Sequence, residues 1–200
     1  MKRSVLAALL IMAATSLHAQ SGVELTPYIG YRGGGEINSD TLNPFGDVEI
    51  DDSESYGIIL GIPMAPWAMI ELEASFQNSQ LVEDGGDFQP GARIGDVDVD
   101  YYQVGFVFQG PGPKVQPFGI FALGATNINP DLPGLTSETK FSTSFGGGLK
   151  LNFSQNLGLR LEGRGYYTLL DSDDDDFCCS YYYTDDLWQL EARVGLIVRF

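Results

Sequence analysis

Residues Trp188–Phe200 alternate without a break. The even positions are Trp188, Leu190, Ala192, Val194, Leu196, Val198 and Phe200, and the odd ones are Gln189, Glu191, Arg193, Gly195, Ile197 and Arg199. A period of two places the two sets on opposite faces of a β-strand, one apolar and one mostly polar. Thirteen residues at ~3.3 Å each, tilted by ~40°, rise roughly 30 Å, enough to cross an apolar band of about 25 Å. The apolar face carries an aromatic at each end, as the two interfacial girdles of a membrane barrel require.

The same pattern recurs upstream. Strands are predicted at Val23–Arg32, Tyr56–Ile62, Ile70–Phe76, Tyr102–Phe108, Val115–Ala125, Phe141–Phe153 and Leu157–Leu169. With the last strand the number is eight. Val115–Ala125 is apolar on both faces, so alternation does not fix its phase; if Phe118, Ile120 and Ala122 face inward, the interior gains an apolar wall. The connections sort by length. Met64–Trp67, Gly110–Lys114 and Ser154–Asn156 are short, whereas residues 33–53, 79–96, 127–139 and 170–187 are long. Short periplasmic turns opposite long extracellular loops are the asymmetry of a transmembrane barrel, and a soluble sandwich has no reason to adopt it. Pro27 and Pro117 are the prolines inside the predicted strands. Both fall just after a periplasmic strand start, where a missing ladder donor is tolerated. The expected fold is therefore all-β, an eight-stranded antiparallel transmembrane β-barrel.

The opening residues have a different character. Lys2 and Arg3 precede the apolar stretch Val5–Ala14 and a short polar run ending at Ala19. This is the layout of a secretory signal, so residues 1–19 are expected to be a cleaved signal peptide and residues 20–200 the barrel. Ten apolar residues cover about half of the ~20 that a spanning helix needs. Of the 11 basic residues in the chain two lie in this segment, leaving nine against 27 acids. Phosphate contacts need basic patches, so nucleic acid is not an expected partner.

Parity assigns Glu24, Glu71, Glu73, Glu162 and Glu191 to the lumen, with Arg32, Lys150, Arg160, Arg164, Arg193 and Arg199. An eight-stranded barrel is just wide enough for its side chains to fill it, so these charges must pair or hold water. They form either a structural plug or the lining of a selective pore, and the plug is the favoured reading.

The opening strand, Glu24-Leu25-Thr26-Pro27-Tyr28-Ile29-Gly30-Tyr31-Arg32, resembles that of the outer membrane protein beta-barrel domain family. So do Gly146–Leu151 and Asn156–Tyr167. In architecture the chain is similar to the OmpA transmembrane domain and to OmpW-like, porin-like barrels. The resemblance implies the outer membrane of a Gram-negative bacterium, contact with outer-membrane lipid, and insertion by the barrel assembly machinery. Phe200 resembles the C-terminal assembly signal of such barrels. The family carries no single activity, so function does not transfer with it.

Chemistry narrows the choice further. His18, the one histidine, lies in the expected signal. A serine nucleophile then has no evident base and zinc loses its usual nitrogen ligand, so neither an enzyme nor a cofactor is expected. The last long loop runs Asp171-Ser172-Asp173-Asp174-Asp175-Asp176-Phe177-Cys178-Cys179-Ser180. Asp173, Asp174, Asp175 and Asp176 are weak candidates for a hard cation, without the glycine and terminal glutamate of a calcium loop; a solvated, self-repelling loop is the favoured reading. Cys178 and Cys179 are adjacent, with Cα atoms ~3.8 Å apart against the usual 4.4–6.8 Å of a disulfide. A bridge between them would be strained, would stiffen the loop, and would reduce easily. Two functions fit: a structural or surface-binding barrel with a filled lumen, and an OmpW-like conduit for small or apolar solutes. Mass spectrometry after thiol blocking decides whether Cys178 and Cys179 form this bridge; two alkylated thiols would dispose of it.

Overall fold

The structure, a computed structural model, describes residues 22–37, 48–83, 92–130, 137–170 and 185–200. The described residues hold no helix; their ordered elements are strands. In chain order these are β1 (Glu24–Gly33), β2 (Glu36–Ile37), β3 (Val48–Ile50), β4 (Ser53–Ala65), β5 (Ala68–Glu83), β6 (Ala92–Gln109), β7 (Val115–Pro130), β8 (Glu138–Asn152), β9 (Leu157–Leu170) and β10 (Asp185–Arg199). β2 continues β1 past Gly34 and Gly35, and β3 leads into β4 across Asp51 and Asp52, so the ten segments make eight staves. Each stave pairs antiparallel with its neighbour, and β1 pairs with β10 from Glu24↔Arg199 to Gly33↔Leu190. The sheet is closed, which removes every edge and satisfies the backbone where lipid offers no partner.

Following one ladder row from Glu24 through Gly61, Glu71, Gly105, Ala122, Ser144 and Tyr166 to Gln189 returns to β1 beside Gly33, about ten residues above the start. This stagger decides which inward side chains share a level. The turns at Pro66–Trp67, Gly110–Lys114 and Phe153–Asn156 lie at the same end as Glu24 and Arg199, as the loop lengths predict. In the second turn Gly112 has φ of 152°, and a Cβ there would stand 2.0 Å from the Val115 carbonyl oxygen. That backbone leaves room for glycine alone.

The outer face is apolar between two aromatic rings. Near the short turns Trp67 stacks on Phe108 at 6.3 Å between centroids. At the loop end Tyr56, Phe76 and Tyr102 form one run and Phe145, Trp188 and Tyr167 another. Between the rings Val104, Phe121 and Leu161 stand exposed, the normal state of a surface solvated by lipid.

Above the upper ring the pattern inverts. On the outer face of β6, Tyr102, Val104, Phe106 and Phe108 give way to Asp100, Asp98 and Asp96. On its inner face Val97 and Val99 are buried with Tyr101. These residues join Ile50, Tyr166 and Leu187, backed by Leu81, Ile128 and Leu170, in an apolar cap across the barrel. The sequence reading placed residues 79–96 in a loop, yet β5 runs to Glu83 and β6 starts at Ala92. The reason is solvent. Once the staves clear the lipid, their outside meets water, so polar residues turn outward and apolar ones inward, opposite to the rule that holds inside the membrane. The same effect extends β7 to Pro130 and starts β8 at Glu138, shortening the expected loop over 127–139.

This inversion makes neighbouring positions on β6 differ sharply. Val104→Arg, on the lipid face, is expected to cost about 2–4 kcal/mol of unfolding free energy. Asp98→Arg, three positions along the same face nearer the loops, should stay within about 0.5 kcal/mol. Val99→Asp, which buries an unpaired carboxylate in the cap, should cost about 3 kcal/mol. Urea titration of the refolded barrel checks all three.

Candidate functional site in the barrel lumen

The lumen is where the sequence concentrates its chemistry. Glu71, Glu73, Arg160, Glu162, Arg164, Glu191 and Arg193 all point inward and all are buried. β5 supplies Glu71 and Glu73, β9 supplies Arg160, Glu162 and Arg164, and β10 supplies Glu191 and Arg193. Strand period two sets them on one face, and the stagger brings the three strands' contributions to adjoining levels.

Glu71 is gripped from one side by Arg160, whose Nη1 and Nη2 donate to its two carboxylate oxygens at 2.5 and 2.9 Å. Paired donation from a guanidinium fork is among the stronger ionic contacts available to a carboxylate. Arg160 Nε also donates to Glu162 at 2.6 Å. Glu162 in turn accepts from Arg164 Nε and Arg193 Nη2, both at 2.8 Å. Glu73 lies at the centre. It accepts from Arg164, from Arg193, from the Tyr28 hydroxyl at 2.8 Å and from the Tyr166 hydroxyl at 3.2 Å. Glu191 takes a hydrogen bond from Ser55 at 2.5 Å and one from Tyr166 at 2.7 Å, and pairs with Arg32 at 3.4 Å.

Arg32 ends the network on the loop side. Its guanidinium donates to Ser75 and to Gln77, and lies over the rings of Tyr101 and Tyr166 at 4.8 and 4.7 Å. The same two tyrosines belong to the apolar cap, so charge and cap are joined without a gap. Four arginines thus face four glutamates, and the central lumen is neutral. Three buried guanidinium nitrogens, Arg32 Nε, Arg164 Nη2 and Arg193 Nε, have no acceptor among the described residues. Buried donors of this kind take up trapped water.

At the periplasmic mouth a second, smaller group forms. Glu24 accepts from Lys150 at 2.6 Å and from Arg199 at 2.7 Å, and Arg199 also donates to Asn152 at 2.7 Å. The open phase of the seventh predicted strand is resolved here. Phe118, Ile120 and Ala122 face inward and Phe121 and Leu123 face lipid. Phe118 and Ile120 pack with Met69 and Val107 in an apolar cluster, and the Arg160 guanidinium rests over the Phe118 ring at 4.3 Å.

The opposite wall is built small to accommodate these long side chains. Gly105, Ala122, Gly124, Gly146 and Gly148 line it from β6, β7 and β8. Gly148 pairs with Glu162, and a Cβ there would stand 1.9 Å from the Leu161 carbonyl oxygen and 2.9 Å from Glu162 Cα. Glycine at this position lets the two strands approach.

Sequence parity missed the neutral partners. Tyr28 and Ser55 hold carboxylates, Gln77, Gln189 and Tyr101 are linked in a polar row nearer the loops, and Gln103 bonds to Ser142 and Ser144. Tyr28 shares the parity of Glu24 and Arg32, which was the available signal. Asp173, Asp174, Asp175, Asp176, Cys178 and Cys179 lie outside the described residues, as do residues 1–19. Among the described residues no group of three or more His, Cys, Asp or Glu is placed to hold a metal ion. Phe200 is half-buried, and its backbone N–H donates to the Val23 carbonyl at 3.1 Å.

The sequence of residues 5–200 matches the outer membrane protein beta-barrel domain. The chain belongs to this family. It is an outer-membrane β-barrel protein of the Gram-negative envelope, and its relatives in structure are built alike. The crystal structure of Neisserial surface protein A is 12% identical, with a TM-score of 0.65 over 91% of this chain and 100% of that one. OprG from Pseudomonas aeruginosa is 11% identical, with a TM-score of 0.58 over 90% and 97%. The outer membrane protein AlkL, in lipid bilayers, is 11% identical, with a TM-score of 0.58 over 92% and 93%. At such identities the likeness is one of fold. None of the curated proteins matches the sequence.

Removing one member of the network leaves buried charge around it short of its full set of partners. Glu73→Gln and Arg160→Met are each expected to cost about 3–5 kcal/mol. Exchanging the partners, Glu71→Arg with Arg160→Glu, should recover part of that loss. Urea unfolding of the refolded proteins, followed by the heat-dependent gel shift, reads each value.

Proposed function

We propose that this outer-membrane barrel is a structural or surface-binding protein with a closed lumen, not a pore and not an enzyme. The observation that carries the reading is the buried network of four arginines and four glutamates from Glu71 to Arg32, with the apolar cap above it and the Met69–Phe118 cluster below. An ion crossing the lumen would have to displace pairs whose separation costs several kcal/mol each. The variable chemistry then belongs to the loops, whose acids suit hard cations or a basic partner better than an anionic one. Outer-membrane lipid and, during insertion, the barrel assembly machinery are the partners this reading requires.

A conduit for apolar solutes is the second reading, and one observation favours it. Phe118, Ile120 and Ala122 give the lumen an apolar wall at the periplasmic end, and the cap supplies an apolar lining at the other. The charge network lies between them. An apolar solute would therefore need to leave sideways before reaching Arg32.

Single-channel recording of the refolded protein in a planar bilayer separates the two. With folding verified by gel shift, inserted barrels are expected to stay silent. Steady ion-conducting steps would overturn the closed-lumen reading.

A further inference from the structure

Over β1, between β10 and β4, the outer wall dips into a groove of about 660 Å³, lined on its outer side by Ile29, Tyr31, Glu54, Tyr56, Ala192 and Val194. Side-chain size makes the dip. Ala192 stands between Leu190 and Val194 on the outer face of β10, and its ladder partner on β9 is Gly163, where an added Cβ would meet nothing within 4 Å. Tyr31 pairs with Glu54, the second residue of β4 from its loop end, and Tyr56 lies two residues further in. The two tyrosines stand at the level of the upper aromatic ring, with Ile29 and Val194 deeper in the apolar band. The groove therefore faces the extracellular half of the membrane, and its occupant arrives from the outer leaflet or from the medium.

Nearer the loops a second cleft, of about 390 Å³, is cut into the rim where the start of β4 meets the upper parts of β5 and β6. Asp51, Asp52, Asp96 and Asp98 line it with Asn78 and Gln80. Ser53 borders this cleft and Glu54 the groove, so the two adjoin across one step of β4. Arg93 pairs with Asp96 at 2.5 Å, and Asp52 accepts from the Gly34 N–H at 3.1 Å. Asp51, Asp52, Glu54, Asp96 and Asp98 are five carboxylates against that one guanidinium, a net of four negative charges beside an apolar groove. Neighbouring strands lie ~4.8 Å apart and same-face residues ~7 Å, so each charge falls within about a Debye length of the next and they act as one field.

This layout, apolar within the membrane and acidic at its surface, is complementary to an amphiphile of positive charge. An anionic head group would be repelled by the rim, and a small cation alone would leave the groove unused. We propose that the two clefts form one docking surface for a cationic amphipathic helical peptide that reaches the barrel from outside the cell. Its apolar side chains enter the groove along Ile29, Ala192 and Val194, and its lysines or arginines meet Glu54, Asp52 and Asp98. This partner rests on the surface-binding reading of the barrel, yet the two fail separately, because conducting steps would report on the lumen and leave these clefts untouched.

The test is fluorescence anisotropy of a labelled leucine–lysine helical peptide added to the barrel in phosphatidylcholine nanodiscs, with empty nanodiscs as the blank. Affinity should exceed the blank about tenfold at low salt, and fall as the Debye length shortens from ~30 Å at 0.01 M to ~8 Å at 0.15 M. Glu54→Gln with Asp98→Asn should weaken binding about three- to tenfold, the worth of two exposed ion pairs. Ala192→Phe, which fills the groove and leaves every charge in place, should also weaken it several-fold. Ala192→Leu serves as a milder filler should the phenylalanine variant fail the gel-shift test of folding. A lysine–glycine peptide of equal charge, lacking an apolar face, should bind about tenfold more weakly than the leucine–lysine one. Binding no better than the blank, equal binding of the lysine–glycine peptide, or binding unmoved by filling the groove would each overturn the proposal. So would capture of a leucine–glutamate peptide in the presence of magnesium ions while the lysine peptide stays free, which would assign the rim to anionic outer-leaflet lipid bridged by cations.

Discussion

Lipid offers the backbone no hydrogen-bond partners, and every other feature of this structure follows from that. A sheet in hydrocarbon must close, and here it closes through the ladder between β1 and β10. Closure at eight staves encloses an interior too narrow to hold bulk water beside its side chains. The side chains that line it must then satisfy one another. Polar residues were needed there because the apolar ones were committed to the outside, so an ionic interior is the price of an apolar exterior.

Ion pairs are a weak source of stability, because desolvation offsets most of their attraction. This network reduces the penalty by sharing. Glu73 and Glu162 each serve two or three arginines, and tyrosine hydroxyls occupy carboxylate positions that guanidiniums cannot reach. The contacts of Arg32 with Tyr101 and Tyr166 do for one cation what a further carboxylate would have done, without adding charge. The value of the arrangement lies in specificity: a slip of one residue in any stave would turn its charges toward lipid.

Parity made the lumen residues legible in the sequence. Glu71 and Glu73 alternate with Ile70 and Leu72, and Arg160, Glu162 and Arg164 with Leu159 and Leu161, so their common face needs no structure to read. Which of them touch did not follow, because that depends on the stagger around the whole barrel, a property of all eight registers at once. Phe118 and Ile120 were ambiguous for a local reason. Their strand is apolar on both faces, and only Met69 and Val107, which parity places inside, show where an apolar interior cluster stands. Asp96-Val97-Asp98-Val99-Asp100 alternates as regularly as any membrane strand, with the opposite sense. Read with the rule for lipid it resembles a loop, and read with the rule for water it is a strand.

The network has a consequence for the order of assembly. Arg32 and Tyr28 come from the first stave, Glu73 from the third, Arg164 from the seventh and Arg193 and Glu191 from the last. No contiguous part of the chain contains a balanced, fully partnered set. A half-closed sheet would therefore expose unmatched charges at the open seam, and each added stave would bring charge whose partner had yet to arrive. The seam between β1 and β10 is where those debts cancel together, so closing the cylinder and neutralising its axis become one cooperative event.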